Sequence, residues 1–532
     1  MPILSSPITR SLSRLLVRGP DRLIQSYRHS HIMSHSSPIL RDPSLFKTNL
    51  VYINGKWLEA KSRMTFEVHD PCSGELIGTA PECNAEDTFT AIDAAAEAFP
   101  LFRTKTGRER SRILRRWYEL MIQNVDDIAK LITWENGKPL ADAKGEVVYA
   151  ANFIEWFSEE APRICGDTIL SSSAENSVIT VKEPIGVCGL ITPWNFPAAM
   201  LTRKVAPALA AGCSVVIKSP GETPFTALAL VELAHRAGVP KGVINVVSAL
   251  ENTVAVGEVL TTSPTIKKIS FTGSTSVGKI LMRQSSSTLK KLSLELGGNA
   301  PFIIFDDADI ELATKGAINS KFRSSGQTCV CANRIFVQSS IHDKFVKNLV
   351  AHIQGFRVGG GFTEGVTHGP LIHNRAVARV DSHVRDAERK GGIIVEGGRV
   401  MEELGPNFYQ PTVITNMSTE MMLASEETFG PVAGIFKFDT EEEVIKLANI
   451  SPVGLAGYIF SRDIHRVTRV VGALETGMVG VNTGLISDPA VPFGGVKESG
   501  FGKEGSKYGI GEYQVTKAIT YGNLRESASI SI

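Results

Sequence analysis

No CxxC pair occurs among the seven cysteines of this 532-residue chain. That removes the usual zinc-ligand spacing, and an odd cysteine count in so long a chain is no disulfide framework, so a reducing compartment is expected. An excess of charge is missing too. Against 56 Lys and Arg stand 55 Asp and Glu, so no global field points to nucleic acid and no acidic tail suggests a solvating segment. Long apolar runs are also absent: the most notable uncharged stretch, residues 184–202, is interrupted by Pro193, Asn195 and Pro197 and makes a poor membrane span. Low complexity and fixed-period repeats are lacking. What remains, 43% hydrophobic and 21% charged residues, is ordinary globular usage over a length that calls for about three domains. The expected partner is a small molecule, with no nucleic acid, membrane or metal.

The first 32 residues depart from this balance, with five Arg, one acid and no Lys or Glu. Arg10, Arg14 and Arg18 fall on one helical face and Leu12, Leu15 and Leu16 towards another. That is the composition of a mitochondrial transit peptide, and residues 1–46 are assigned to such a leader, directing the protein to the matrix. The alternative is a disordered arm on a cytoplasmic protein, with Met33 as an internal start.

From Tyr52 onward the pattern is punctuated elements. Apolar residues at near 3.6 spacing predict one amphipathic helix over 108–133, stopped by Asn136-Gly137 and Pro139. Short apolar runs at 187–191, 214–217, 243–247 and 266–271 then alternate with helical stretches at 198–211, 226–237, 253–261 and 277–283. Continuous apolar strands between helices imply a parallel sheet covered on both faces, a doubly wound α/β fold. A second series, with runs at 334–338, 393–395, 432–436 and 478–481, predicts a second α/β region.

The run Ile266 to Lys279 is a strand, a turn at Gly273 and a helix start, the arrangement that holds a phosphate on backbone N–H groups. Gly273 and Gly278-Lys279 also fit GxxxxGK, but Ile280 stands where magnesium binding needs Ser or Thr. Three further segments supply chemistry: Ile191-Thr192-Pro193-Trp194-Asn195-Phe196-Pro197, Leu294-Glu295-Leu296-Gly297-Gly298-Asn299, and Ser325-Gly326-Gln327-Thr328-Cys329-Val330-Cys331. A thiol nucleophile, an amide donor and a carboxylate base are the set needed to oxidise an aldehyde through a thioester.

With these segments, Phe271-Thr-Gly-Ser-Thr275, Glu426-Glu427-Thr-Phe429-Gly-Pro431 and Pro492-Phe-Gly-Gly495, the chain resembles the aldehyde dehydrogenase superfamily over residues 47–525. Within it, Lys321-Phe-Arg323, Cys329-Val-Cys331, Gly484-Leu-Ile-Ser487 and Glu504 to Ile510 look most like the succinate-semialdehyde dehydrogenases. The resemblance implies a Rossmann-type NAD(P)-binding domain (47–160 and 186–296), an α/β catalytic domain (297–502) and a β oligomerisation arm (161–185 and 503–532) building a homotetramer or homodimer. It implies that Cys329 attacks the aldehyde, that Asn195 holds the oxyanion and that Glu295 activates water. Thr192, Pro193, Trp194, Lys218, Ser219, Gly221, Glu222, Gly273, Ser274, Leu296, Glu427 and Phe429 match cofactor-contacting positions. The family often carries Lys-x-x-Glu where this chain has Lys218-Ser219-Pro220-Gly221-Glu222, which opens the site to NADP beside NAD, unless Glu222 swings round to replace the missing acid.

Arg203, Arg323 and Ser487 match the residues that grip a distal carboxylate, so the implied substrate is succinic semialdehyde, as in 4-aminobutyrate degradation. The alternatives are another acid semialdehyde such as glutaric semialdehyde and, remotely, a non-catalytic cofactor-binding homologue. Cys331 is either a small packed residue or the partner of Cys329 in an oxidative switch.

Overall fold

The computed structural model describes residues 38–523; the transit-peptide expectation falls on residues outside these. Residues 38–46, placed in the leader from the sequence, are instead built into the fold. The N–H groups of Arg41 and Asp42 donate to Asp127 at 3.0 and 2.8 Å, Leu45 is fully buried and Phe46 packs on Trp134 and Phe225. The tail of the expected arm, residues 524–532, also lies outside the described residues.

The expected helix over 108–133 is two helices, Gly107–Gln123 and Val125–Asn136. Thr106 and Glu109 form a capping box at the first, but Asn124 leaves the helical region (φ −109°, ψ 20°) and its side chain donates to the Leu120 carbonyl, closing that helix. Gly137, at φ 85°, ends the second. A long helix, Leu140–Glu160, follows and packs on Pro197–Ala211, all fifteen residues of which are buried.

Five strands, Val187–Ile191, Ser214–Ser219, Ile244–Ser248, Ile266–Thr272 and Lys291–Glu295, form a parallel sheet in spatial order 5-4-1-2-3, with Gly500–Phe501 antiparallel beside Lys291–Glu295. The order reverses between Val187–Ile191 and Ile266–Thr272. In a doubly wound sheet the crevice beyond the carboxyl ends of those two strands is where ligands bind. Thr192 to Asn195 and Gly273-Ser274 follow those ends directly.

A seven-stranded sheet holds Pro301–Ile304, Arg334–Gln338, Val432–Phe438, Ala456–Phe460, Met478–Val481 and Thr412–Thr415 in parallel pairings, with Ile393–Glu396 antiparallel at its edge. Pro301–Ile304, Thr412–Thr415 and Ala456–Phe460 were not among the expected strands. The segment 296–300 joins the two sheets, leaving the carboxyl end of one and entering the other at its amino end. Gly298 is required there, because a Cβ on it would lie 2.3 Å from the Cys329 carbonyl oxygen.

A third sheet pairs Ser177–Pro184 along its whole length with Gln514–Tyr521 and carries Thr168–Leu170 on the other side. Leu170 is 97% exposed on it. No helix among the described residues is long and apolar enough to cross a membrane.

Candidate active site

The cysteine loop is tightly pinned. Ser324 and Ser325 take left-handed φ values of 51° and 53° before Gly326 at 75°, a conformation that costs non-glycine residues about 1–3 kcal/mol each and needs support. The support comes from residues 369–372: Ser325 Oγ donates to the Gly369 carbonyl at 2.7 Å, Gln327 Nε2 donates to the Pro370 carbonyl at 3.3 Å, and Ile372 N–H donates to Gln327 Oε1 at 3.0 Å. Cys329 emerges half-buried at the end of this loop.

Asn195 is brought to it from the other sheet. Its Nδ2 donates to the Gln327 carbonyl at 3.0 Å, leaving one amide proton free. Its own backbone is held by groups that sequence reasoning passed over. Lys138 Nζ donates to the Asn195 carbonyl at 2.7 Å and to Glu146 at 2.6 Å, and Asn136 Nδ2 donates to the Trp194 carbonyl at 3.0 Å. Glu146 in turn accepts from the N–H groups of Ala198 and Ala199, the first turn of the Pro197–Ala211 helix. The run Asn136 to Pro139 read only as a helix stop, and its residue types alone gave no sign of this second role.

Glu295 ends its strand with both carboxylate oxygens buried and without hydrogen-bond partners among the described residues. Burial, and next the negative charge of Glu504, push its carboxyl well above the usual range, while Arg203 and Lys204 work the other way. Glu504 pairs with Arg203 Nε at 2.7 Å and contacts Lys204, whose Nζ also donates to Thr272 Oγ1 at 2.6 Å. Burial likewise raises the Cys329 thiol to about 12, with the Glu427 and Glu295 charges adding and Arg203 opposing. In the free protein burial thus favours the neutral form of both side chains.

Cys329 lies in the wall shared by two cavities. One, of about 230 Å³, is lined by Pro193, Trp194, Gly273, Ser274, Glu295, Leu296, Glu427 and Phe429 together with Asn195 and Met200. Trp194 and Phe429 meet edge to face at 5.7 Å. Glu427 accepts the Gly298 N–H at 3.2 Å, and burial lifts its carboxyl to about 7. The other cavity gathers Asn195, Met200, Arg203, Arg323, Ser487 and Phe493. The Arg203 guanidinium sits over Phe493 at 4.0 Å with Nη2 unpartnered among the described residues, and Arg323 sits over Phe196 at 4.9 Å. Met200, Phe196 and Phe493 were missed because an apolar wall carries no signature of its own.

Thr192, Lys218, Ser219, Gly221 and Glu222 do not line either cavity. They cluster beyond it, at the carboxyl ends of neighbouring strands, where the Thr192 N–H donates to the Lys218 carbonyl at 3.3 Å. Lys218 is buried, forms no ion pair among the described residues, and burial lowers its ammonium to about 8. Cys331 is buried with its thiol on Thr328 Oγ1 at 3.0 Å and the Gly326 carbonyl at 3.1 Å.

A switch-point crevice that meets a thiol, an amide and a carboxylate defines an oxidoreductase that uses a nucleotide cofactor and a covalent thiol. Residues 57–519 match the model of the aldehyde dehydrogenase family, and the chain belongs to that family. It is 58% identical over 499 residues to succinate-semialdehyde dehydrogenase [NADP(+)] 1 of Schizosaccharomyces pombe, covering 92% of this chain and 100% of the relative. It is 54% identical over 480 residues to a glutarate-semialdehyde dehydrogenase of Pseudomonas putida, covering 90% and 99%. The crystal structure of an Escherichia coli NADP-dependent enzyme superposes with a TM-score of 0.90 at 52% identity, covering 91% of this chain and 100% of that one.

Proposed function

We propose that this protein oxidises succinic semialdehyde to succinate with NADP or NAD through a thioester on Cys329. The observation that carries it is the placement of Cys329 between a cavity bearing Arg203, Arg323 and Ser487 and one bearing Trp194, Gly273, Glu427 and Phe429. Two guanidinium groups around one small cavity suit a carboxylate at the far end of the aldehyde. The semialdehyde-oxidising relatives support the same substrate class.

The residues present fit a nicotinamide nucleotide. The larger cavity is walled by Trp194, Leu296 and Phe429 and reaches the Gly273-Ser274 turn, where the Thr275–Ser285 helix begins. Lys218, which forms no ion pair among the described residues although the Glu222 and Glu82 charges act on it, and Gly221 at the position of the family's acid support a 2′-phosphate. A bound nicotinamide supplies the hydride acceptor. Cys329 gives up its thiol proton to water in the cavity, its Sγ bonds to the aldehyde carbon as the C=O π bond opens, and the oxygen, taking the negative charge, is met by the second amide proton of Asn195 and the Cys329 N–H. Loss of hydride from that carbon leaves the acyl group on Cys329 as a thioester. Glu295, ionised with the support of the Arg203 and Lys204 charges, takes a proton from water, the water oxygen attacks the acyl carbon, and the C–S bond breaks to return the thiolate and release the acid.

Residues 47–160 and 186–296 read as the nucleotide-binding domain, 297–502 as the catalytic domain, and 161–185 with the tail as the arm through which copies assemble. The Arg-rich first 32 residues support delivery to the mitochondrial matrix.

The test is kcat/KM for succinic, glutaric and neutral four-carbon aldehydes with both cofactors, in wild type and Arg323→Ala. Loss of the acid preference in the variant supports the substrate reading, and an equal effect on the neutral aldehyde refutes it. A strong preference for NAD refutes the NADP assignment.

A further inference from the structure

Tyr149 belongs to the helix Leu140–Glu160, far in sequence from every motif that marks the site. Its phenolic oxygen is buried and has no hydrogen-bond partner among the described residues, which is costly unless a ligand completes it. The ring packs edge to face on Phe153 at 5.0 Å, and the Arg203 guanidinium lies over that same Phe153 at 5.1 Å. Tyr149 lines the cavity that holds Cys329 and also an adjoining cavity of about 320 Å³, and Phe196, Arg323, Leu485 and Ser487 line both with it. Tyr149 therefore stands at the junction of the two, sharing Arg323 and Ser487 with both and Arg203 with the first.

We infer that Tyr149 is a specificity-determining residue whose O–H donates to the remote carboxylate of an acid semialdehyde, beside Arg203, Arg323 and Ser487. The inference rests on the acid-semialdehyde reading above. Three features carry it: the unpartnered donor, its position on the cavity wall, and the unpartnered Arg203 Nη2 at the same cavity. The phenol keeps its proton there, since burial raises it above its ordinary value against the pull of the two arginines and of the neighbouring Ser487 hydroxyl, which lies close without meeting hydrogen-bond geometry, so it acts as a donor at neutral pH. A neutral aldehyde of equal length leaves this donor unsatisfied, as it is in the free protein. Discrimination then comes from a buried donor that only an anionic substrate completes.

The experiment compares wild type with Tyr149→Phe on succinic semialdehyde and butanal, with succinate as a non-reacting competitive inhibitor and saturating NADP. Expected is a KM for succinic semialdehyde raised about tenfold or more, as for a hydrogen bond to a charged group. The succinate inhibition constant should rise in parallel, with kcat and the butanal KM changing far less. The melting temperature should change little, because the deleted hydroxyl has no hydrogen-bond partner among the described residues. Parallel changes on both aldehydes, no change on either, or a melting temperature several degrees lower would overturn the inference. A wild-type enzyme that does not prefer succinic semialdehyde over butanal overturns the acid-semialdehyde reading itself. Preference in the wild type that survives unchanged in Tyr149→Phe overturns only the role of Tyr149.

Discussion

The side-chain amide of Asn195 donates to the backbone carbonyl of Gln327 at 3.0 Å, two residues before Cys329. That bond ties the first sheet's crevice to the cysteine loop and leaves the second amide proton of Asn195, which lines both cavities with Cys329, for the proposed oxyanion. Replacing Asn195 by Ala removes both functions. Loss of one oxyanion donor lowers kcat by about 10² to 10³. We expect a fall of that size with little change in cofactor affinity, measured by steady-state kinetics and by fluorescence titration with NADP. A kcat within about threefold of wild type would contradict the role.

Lys138 acts one layer further out. Its Nζ bridges Glu146 and the Asn195 carbonyl in a fully buried setting, with Phe196 beneath it at 3.9 Å. Lys138→Met leaves Glu146 uncompensated, and removing one partner of a buried pair costs about 3–5 kcal/mol. The expected result is a clear drop in denaturant midpoint together with a lower kcat. Adding Glu146→Gln should recover stability, because the amide needs no counter-charge, while kcat stays low for want of the carbonyl anchor. Recovery of both together would show that Lys138 only stabilises.

These residues also mark how far sequence reaches. Strands covered on both faces must be continuously apolar, so the runs at 187–191, 214–217 and 266–271 reveal themselves, and the nucleophile, amide and base sit in motifs dense enough to name. Pro301–Ile304, Thr412–Thr415 and Ala456–Phe460 are short apolar segments that periodicity alone does not separate from a buried helix turn or loop. The break at Asn124 is invisible to a 3.6 period that continues across it. Lys204 and Glu504 meet across 300 positions, and Tyr149 and Arg323, from distant segments, come to line one cavity. Such pairings exist in three dimensions alone.

Glu427 gives a pH signature. Burial raises its carboxyl from 4.5 to about 7 in the folded protein. Between those values the folded state binds more protons than the unfolded, so this residue's contribution to stability is full at low pH and is lost as pH rises towards 7. A shift of that size corresponds to roughly 3 kcal/mol. Glu427→Gln, which cannot ionise, should flatten the decline in unfolding free energy between pH 5 and pH 8 and be the more stable form at the upper end. Equal slopes for the two proteins would refute the assignment.

Cys331 offers the last test. Its thiol rests on Thr328 Oγ1 and the Gly326 carbonyl, so a bridge to Cys329 must break both contacts and turn a loop that Ser324 and Ser325, both left-handed, already strain. Such a bridge is strained and easily reduced. Peroxide would oxidise Cys329 to its sulfenic acid with loss of one water, and the Cys331 thiol would displace the second to close the disulfide. We expect peroxide inactivation that dithiothreitol reverses in the wild type and that becomes irreversible in Cys331→Ala, where nothing intercepts the sulfenic acid before further oxidation. If dithiothreitol restores the variant as fully as the wild type, Cys331 is a packed side chain and the contacts at 3.0 and 3.1 Å are its whole role.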